Sequence, residues 1–132
     1  VRLFCLSAAE VDACWDDFGS LLTRLSGCDL TPEQIKTNAK ESRQQIWGLQ
    51  DPTEVHGICI TEIIQTSRGL ICLIVGACGQ DIPKPLMERL HDEIGKWAKG
   101  LGCVAIRIHG RKGWLRWDRR FAQTGIVAER PL

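Results

Sequence analysis

The sequence lacks any run of ~18 consecutive apolar residues, the length a bilayer-crossing helix needs. It also lacks a leader pattern, because residues 1–6 are too short and too weakly basic for a signal peptide. Neither membrane insertion nor signal-directed export is therefore expected. No cysteine stands in a C-x-x-C pair or beside a histidine at ligand spacing, although there are seven: Cys5, Cys14, Cys28, Cys59, Cys72, Cys78 and Cys103. Tetrahedral zinc sites and redox dithiols need such paired short spacings, so no metal and no disulfide is expected. Most of these cysteines neighbour apolar residues, as in Ile58-Cys59-Ile60, and read as small core hydrophobes of an intracellular protein. Cys78, in Gly76-Ala77-Cys78-Gly79, is a candidate nucleophilic thiol without an identifiable base. Repeats, low-complexity tracts and linkers are missing too.

What remains is an ordinary globular composition: 132 residues, 44% hydrophobic and 25% charged, with 17 basic against 16 acidic side chains. That predicts one folded domain, 1–132. A domain of this size buries roughly two thirds of its unfolded surface and needs no staple. The balanced total hides an asymmetry. Residues 103–132 carry seven Lys/Arg against Asp118 and Glu129, while the rest of the chain is acidic on balance. An anionic partner is expected at the basic end, either a nucleic acid, a phosphate ligand or an acidic protein surface.

Residues 2–6 read as a strand. Ser7-Ala8-Ala9-Glu10 has capping-box spacing, and Val11, Cys14, Trp15, Phe18, Leu21, Leu22 and Leu25 recur at helical period, predicting a first helix over 8–26. Thr31-Pro32-Glu33-Gln34 opens a short second helix anchored by Ile35 and Ala39. Three strands follow, over 45–50, 55–65 and 70–75, the last two joined as a hairpin through Thr66-Ser67-Arg68-Gly69. The third of these is apolar at consecutive positions, as expected of a strand covered on both faces. After a loop over 76–84, Leu86, Leu90, Ile94, Trp97 and Ala98 mark a third helix that ends at Gly100 and Gly102. Residues 104–108 alternate as a strand, parallel to 70–75 because a helical crossover joins them. Trp114, Trp117 and Phe121 suggest a fourth helix over 113–121, and 126–128 a last strand.

The order β-α-α-β-β-β-α-β-α-β resembles the GNAT family of N-acetyltransferases over essentially the whole chain. The resemblance implies an α/β (α+β) fold with a mixed, mainly antiparallel sheet flanked by helices. The segment Ile106-Arg107-Ile108-His109-Gly110-Arg111-Lys112-Gly113-Trp114, with Gly125-Ile126-Val127 after it, covers about 30 residues of a second likeness. It is similar to the G-[RK]-[RK]-G-W end of small GNAT-like proteins of tailed bacteriophages and prophages. That implies a place in the virion or in the bacterial host cytoplasm, with a phage structural protein as partner and a homo-oligomer as one form.

The family holds the diphosphate of acyl-CoA on amides at the start of the third helix, after a Q/R-x-x-G-x-G/A signature. Free amides and the positive end of the helix dipole suit a phosphate there. The matching stretch, 76–85, offers Gly76, Gly79 and Lys84 as candidate cofactor-binding residues. Pro83 and Pro85 remove donors, however, and Asp81 adds a negative charge. The loop reads as degenerate, so the first expectation is no cofactor and the alternative is acetyl-CoA. Many enzymes of the family protonate the departing thiolate with a tyrosine, and this chain has none. The candidate general base is Glu62, the acidic residue inside a strong strand run. Burial would raise its pKa into a useful range, whereas a solvent-facing strand position would leave it an ordinary surface acid. His56 and His109 are further candidates.

Arg107, Arg111, Lys112, Arg116, Arg119 and Arg120 interleave with Trp114 and Trp117. Arg with Trp suits nucleic acid, a protein interface, or simply an amphipathic helix with a solvated basic face. Three functional readings follow, in this order: a non-catalytic GNAT-fold phage protein with an assembly or interaction role, such as a tail-connector component; an acyl-CoA N-acetyltransferase with a degenerate CoA loop; and a nucleic-acid-binding module using 107–120.

Overall fold

The computed structural model describes residues 2–25, 28–79, 82–109, 115 and 118–132. Five strands form one sheet in sequence order: β1 (Arg2–Cys5), β2 (Gln45–Gln50), β3 (Val55–Thr66), β4 (Gly69–Gly79) and β5 (Ala105–Ile108). All neighbours are antiparallel except β4 and β5, which are parallel, with Ile71 beside Ala105 and Ile74 beside Ile108. The mixed, mainly antiparallel α/β architecture is thus as expected, and so is the parallel crossover.

Helices α1 (Val11–Leu22) and α2 (Pro32–Lys40) cover one face, and α3 (Lys84–Gly100) covers the other. On the first face Phe18, Leu21, Ile35 and Ala39 pack on Ile46, Ile58 and Ile60. On the second, Leu90, Ile94 and Ala98 pack on Trp47, Cys59, Cys72 and Ile74. Each buried aliphatic side chain contributes roughly 2 kcal/mol of transfer free energy. The buried Trp47 indole donates to Thr61 Oγ1 at 3.0 Å, and that hydroxyl donates to Gln45 Oε1 at 2.9 Å, so the polar atoms at this point are satisfied. α2 begins as the sequence predicts: the Gln34 amide donates to Thr31 Oγ1 (3.2 Å) and the Thr31 amide to Gln34 Oε1 (2.8 Å).

Four expectations need correction. The first helix opens as a 3-10 turn over Ala8–Glu10, and α1 ends at Leu22. There Thr23 Oγ1 donates to the Ser20 carbonyl and the Arg24 amide to that of Leu21, tightening the last turn and closing it. The stretch 76–79, read as loop, is strand, because pairing with 57–60 of β3 overrides its Gly-Ala-Cys-Gly composition. Residues 126–128 form no strand; Ile126 and Val127 are 83% and 74% exposed and pack on nothing that would hold them extended. The fourth predicted helix is not formed over 118–121, a turn in which the Phe121 amide donates to the Asp118 carbonyl; its residues 113, 114, 116 and 117, and the end of the first predicted helix (Ser26, Gly27), lie outside the described residues.

Candidate active site

Two bulges shape the sheet end at which β4 leads to α3. Ile60 opposes Gly76 while Thr61 opposes Ile74, so Val75 is an extra residue on β4. Likewise Leu49 opposes Gly57 while Gln50 opposes Val55, which makes His56 an extra residue on β3. A bulge bends its strand and ends regular pairing nearby. The Val75 bulge coincides with the last β4–β5 pair, Ile74 with Ile108. Beyond it, β4 continues through 75–79 on β3 alone, and among the described residues no strand covers its other edge. β5 ends at Ile108, so the parallel pairing stops at this point. Gly76 and Ala77 on this stretch are buried, so the unpaired edge is largely enclosed rather than open to solvent.

Glu62 lies one ladder step below. Strand alternation puts it on the α1/α2 face with Ile58 and Ile60, the face on which Val75 also packs. It pairs with Leu73, and Leu73 with Arg107, so Glu62, Leu73 and Arg107 form one row across three strands. The row sets the acid and the guanidinium-bearing residue about 10 Å apart at the backbone. All three are half-buried. Glu62 is thus neither sealed in the core nor an ordinary surface acid, but sits beside the point where β4–β5 pairing ends.

The other candidates fall as follows. Gly76 is buried within β4, opposite Ile60, rather than at the helix start. Gly79 closes the strand opposite Gly57, and a Cβ on either would lie 2.2–2.4 Å from Ile82 Cδ1. The glycine pair is therefore a socket for the Ile82 side chain, which pins the approach to α3. Lys84 opens α3 with its Nζ 3.8 Å from Glu88 Oε1. A helix start leaves four amides free. Here Pro83, at the cap position, and Pro85 have none, and the Leu86 amide donates to the Pro83 carbonyl at 3.0 Å. Only Lys84 is left.

Cys78 is half-buried, and its thiol donates to the Leu21 carbonyl at 3.0 Å. Burial pushes its pKa up, outweighing Arg24 and the Ile58 amide. It is a capped thiol, not a nucleophile. His56 is clasped between Asp51 and Glu54, with Nε2 on Asp51 Oδ2 and Nδ1 3.7 Å from Glu54 Oε1. Hydrogen bonds from Thr53 and His56 hold the Asp51 carboxyl well below the usual carboxylate range. These three side chains bring potential ligand atoms within 4.8 Å of one another, a grouping that only the bulge reveals. His109 is exposed just past β5.

Of the basic segment, Arg111, Lys112, Trp114 and Arg116 lie outside the described residues. Arg107 is half-buried in β5 and Arg119 is exposed. Arg120 is already ion-paired, to Asp118 at 2.8 Å and to Asp92 at 2.5 Å. Asp118, buried, also meets Nδ1 of buried His91 at 3.2 Å. These groups border a cavity of about 370 Å³ between α3 and β5, and they tie residues 118–121 to α3. The sequence reading did not single out His91, although a lone histidine among Leu90 and Ile94 on an apolar helix stripe was the signal.

No protein-family model and no curated protein matches the sequence. Solved structures do match the fold. An aminoglycoside antibiotic 6'-N-acetyltransferase from Acinetobacter haemolyticus superposes with a TM-score of 0.78 at 12% identity, covering 100% of this chain and 98% of that one. A ribosomal-protein-alanine N-acetyltransferase from Brucella melitensis biovar Abortus 2308 gives 0.69 at 9% identity, with 100% of each chain covered. A predicted acetyltransferase with acetyl-CoA from Clostridium acetobutylicum gives 0.64 at 12% identity, over 98% of this chain and 95% of that one. The fold of this chain is that of GNAT acetyltransferases, and no helix among the described residues is long and apolar enough to cross a membrane.

Proposed function

We infer that the protein is an N-acetyltransferase that draws its acyl group from an acyl-CoA-type thioester. The observation that carries this reading is the bulge at Val75, where pairing with β5 ends and, among the described residues, β4 keeps an unpaired edge over 75–79. An acyl arm lying along that edge brings its thioester carbonyl to the fork, close to Glu62 on the neighbouring strand. Glu62 then takes a proton from an amine acceptor as its nitrogen bonds to the carbonyl carbon. The C–S bond breaks and the sulfur leaves as thiolate. A thiol of ordinary pKa near 8.5 is a tolerable leaving group that water can reprotonate, so the absence of tyrosine slows the step without forbidding it. Arg107, in the same cross-strand row, favours an acceptor that carries an anionic group.

The acceptors named for the structural neighbours supply the first probes, an aminoglycoside and a peptide with an amino-terminal alanine. Thiol release from acetyl-CoA in their presence is the assay. Glu62→Gln is expected to lower kcat by about 10²–10⁴ with an unchanged melting temperature. Equal rates for the two proteins would remove Glu62 from the mechanism. If millimolar acetyl-CoA neither raises the melting temperature nor loses its acetyl group, the enzyme reading fails.

One observation favours a second reading. The amide-poor start of α3 suits a scaffold that has lost its donor, kept for assembly or interaction, for example within a phage particle. That reading expects no thioester binding and a specific protein partner instead. A nucleic-acid role draws less support, since Arg120 is committed to Asp118 and Asp92.

A further inference from the structure

The two halves of an acyl-CoA meet unlike surfaces on this chain. The pantetheine half is an extended chain with two amides, and the edge of β4 that no described strand pairs over 75–79 matches it. The nucleotide half begins with a diphosphate, which needs free amides and positive charge. Among the described residues at this helix start, Pro83 and Pro85 contribute no N–H, and the Leu86 amide is turned onto the Pro83 carbonyl. Lys84, the basic residue at this helix start, lies 3.8 Å from Glu88. Ile82, seated over Gly57 and Gly79, fixes this arrangement against the sheet.

A second observation points the same way. The His56 carbonyl lies 3.2 Å from where a Gly79 Cβ would stand, so the β2–β3 turn shares this end of the sheet with the start of α3. That turn carries Asp51 and Glu54, with Asp51 Oδ1 accepting from the Thr53 and Glu54 amides. The carboxylates oppose a diphosphate here.

Resting on the acetyltransferase reading, we propose that the acyl donor is recognised by its pantetheine thioester alone, so that the adenine nucleotide adds nothing to binding. The donor class is an acyl-pantetheine, presented either free or on the phosphopantetheine arm of a carrier protein.

The test titrates the full chain with S-acetyl-pantetheine, S-acetyl-4'-phosphopantetheine and acetyl-CoA, and with an acetylated carrier protein as a fourth arm, following heat of binding and acetyl transfer to amine. The proposal expects the three small donors to agree within about threefold in Kd. A carrier arm with lower KM would identify the carrier as the source, and equal KM would identify the free thioester. Acetyl-CoA binding about tenfold tighter than acetyl-pantetheine, or tighter still, overturns the proposal and leaves the acetyltransferase reading standing. No binding by any donor overturns both. A gain-of-function variant adds an independent check. Pro85→Ala restores one helix-start amide and should tighten acetyl-CoA by about tenfold, the worth of one charge-assisted hydrogen bond, without changing acetyl-pantetheine. Equal affinities of Pro85→Ala and wild type for acetyl-CoA would count against the geometry invoked here.

Discussion

The two halves of β4 obey different rules although they form one unbroken strand. Its lower half is paired on both sides over 71–74, with Ile71, Cys72 and Ile74 at or below 2% exposure. Its upper half, beyond the Val75 bulge, is paired on one side and made of Gly76, Ala77, Cys78 and Gly79. Bulky residues fill space that another strand and two helical layers enclose. Small residues let a partner approach the backbone itself. The difference separates the doubly paired part of the strand from the part with one unpaired edge, where the acyl arm is proposed to lie.

Truncation in the two halves should therefore differ most of all. Ile71→Ala is expected to cost about 4 kcal/mol in urea unfolding, because a fully enclosed aliphatic side chain leaves a cavity. Cys78→Ala should cost about 1 kcal/mol, losing one thiol hydrogen bond and little volume. Similar losses at both positions would erase the contrast.

A smaller effect sharpens the comparison on the far side of β5, where the chain is held by ions rather than by strand pairing. Arg120, then its own backbone amide and His91, hold the Asp118 carboxyl well below the usual carboxylate range. A folded-state pKa below the unfolded value near 3.9 stabilises the fold fully above that pH, and the gain disappears as pH falls through the folded pKa. Asp118→Ala should cost roughly 3 kcal/mol at pH 7, since it leaves buried His91 without this partner. The gap between wild-type and variant melting temperatures should hold constant from pH 7 to about 5 and shrink in stronger acid. A gap that shrinks already between pH 7 and 6 would mean that another group controls the clasp.

The smallest effect compares two helix starts. At α2 a threonine cap and a glutamine exchange hydrogen bonds, so Thr31→Ala should cost about 1 kcal/mol. At α3 no side-chain cap is made, and Pro83→Ala should change stability by less than half of that. Equal costs would show that capping does not distinguish them.

Much of this was legible before any coordinates. Alternation and β-branched runs located β2, β3, the lower half of β4 and the body of β5, and the Thr31-Pro32 pair located α2, because those signals are local. The upper half of β4 was hidden, since Gly-Ala-Cys-Gly has no strand preference and becomes strand only by pairing with β3. Ile126 and Val127 misled in the opposite direction, being β-branched without a partner. Glu62 could be chosen from sequence as a strand acid, but its nearness to the fork depends on register, as does its row with Leu73 and Arg107. That Pro83, before α3, and Pro85, in its first turn, have no N–H to offer is a matter of residue type and is read directly from the sequence. That the Leu86 amide is also engaged required the helix geometry.

The central claim is that the free edge of β4 holds the acyl arm, and amide NMR spectra recorded during titration with S-acetyl-pantetheine test it most directly. The account predicts saturable shifts concentrated at Val75, Gly76, Ala77, Cys78 and Gly79, with Glu62 and Leu73 next in size. Shifts centred instead on His91, Gly95 and Asp118, or no shifts at saturating thioester, would contradict it.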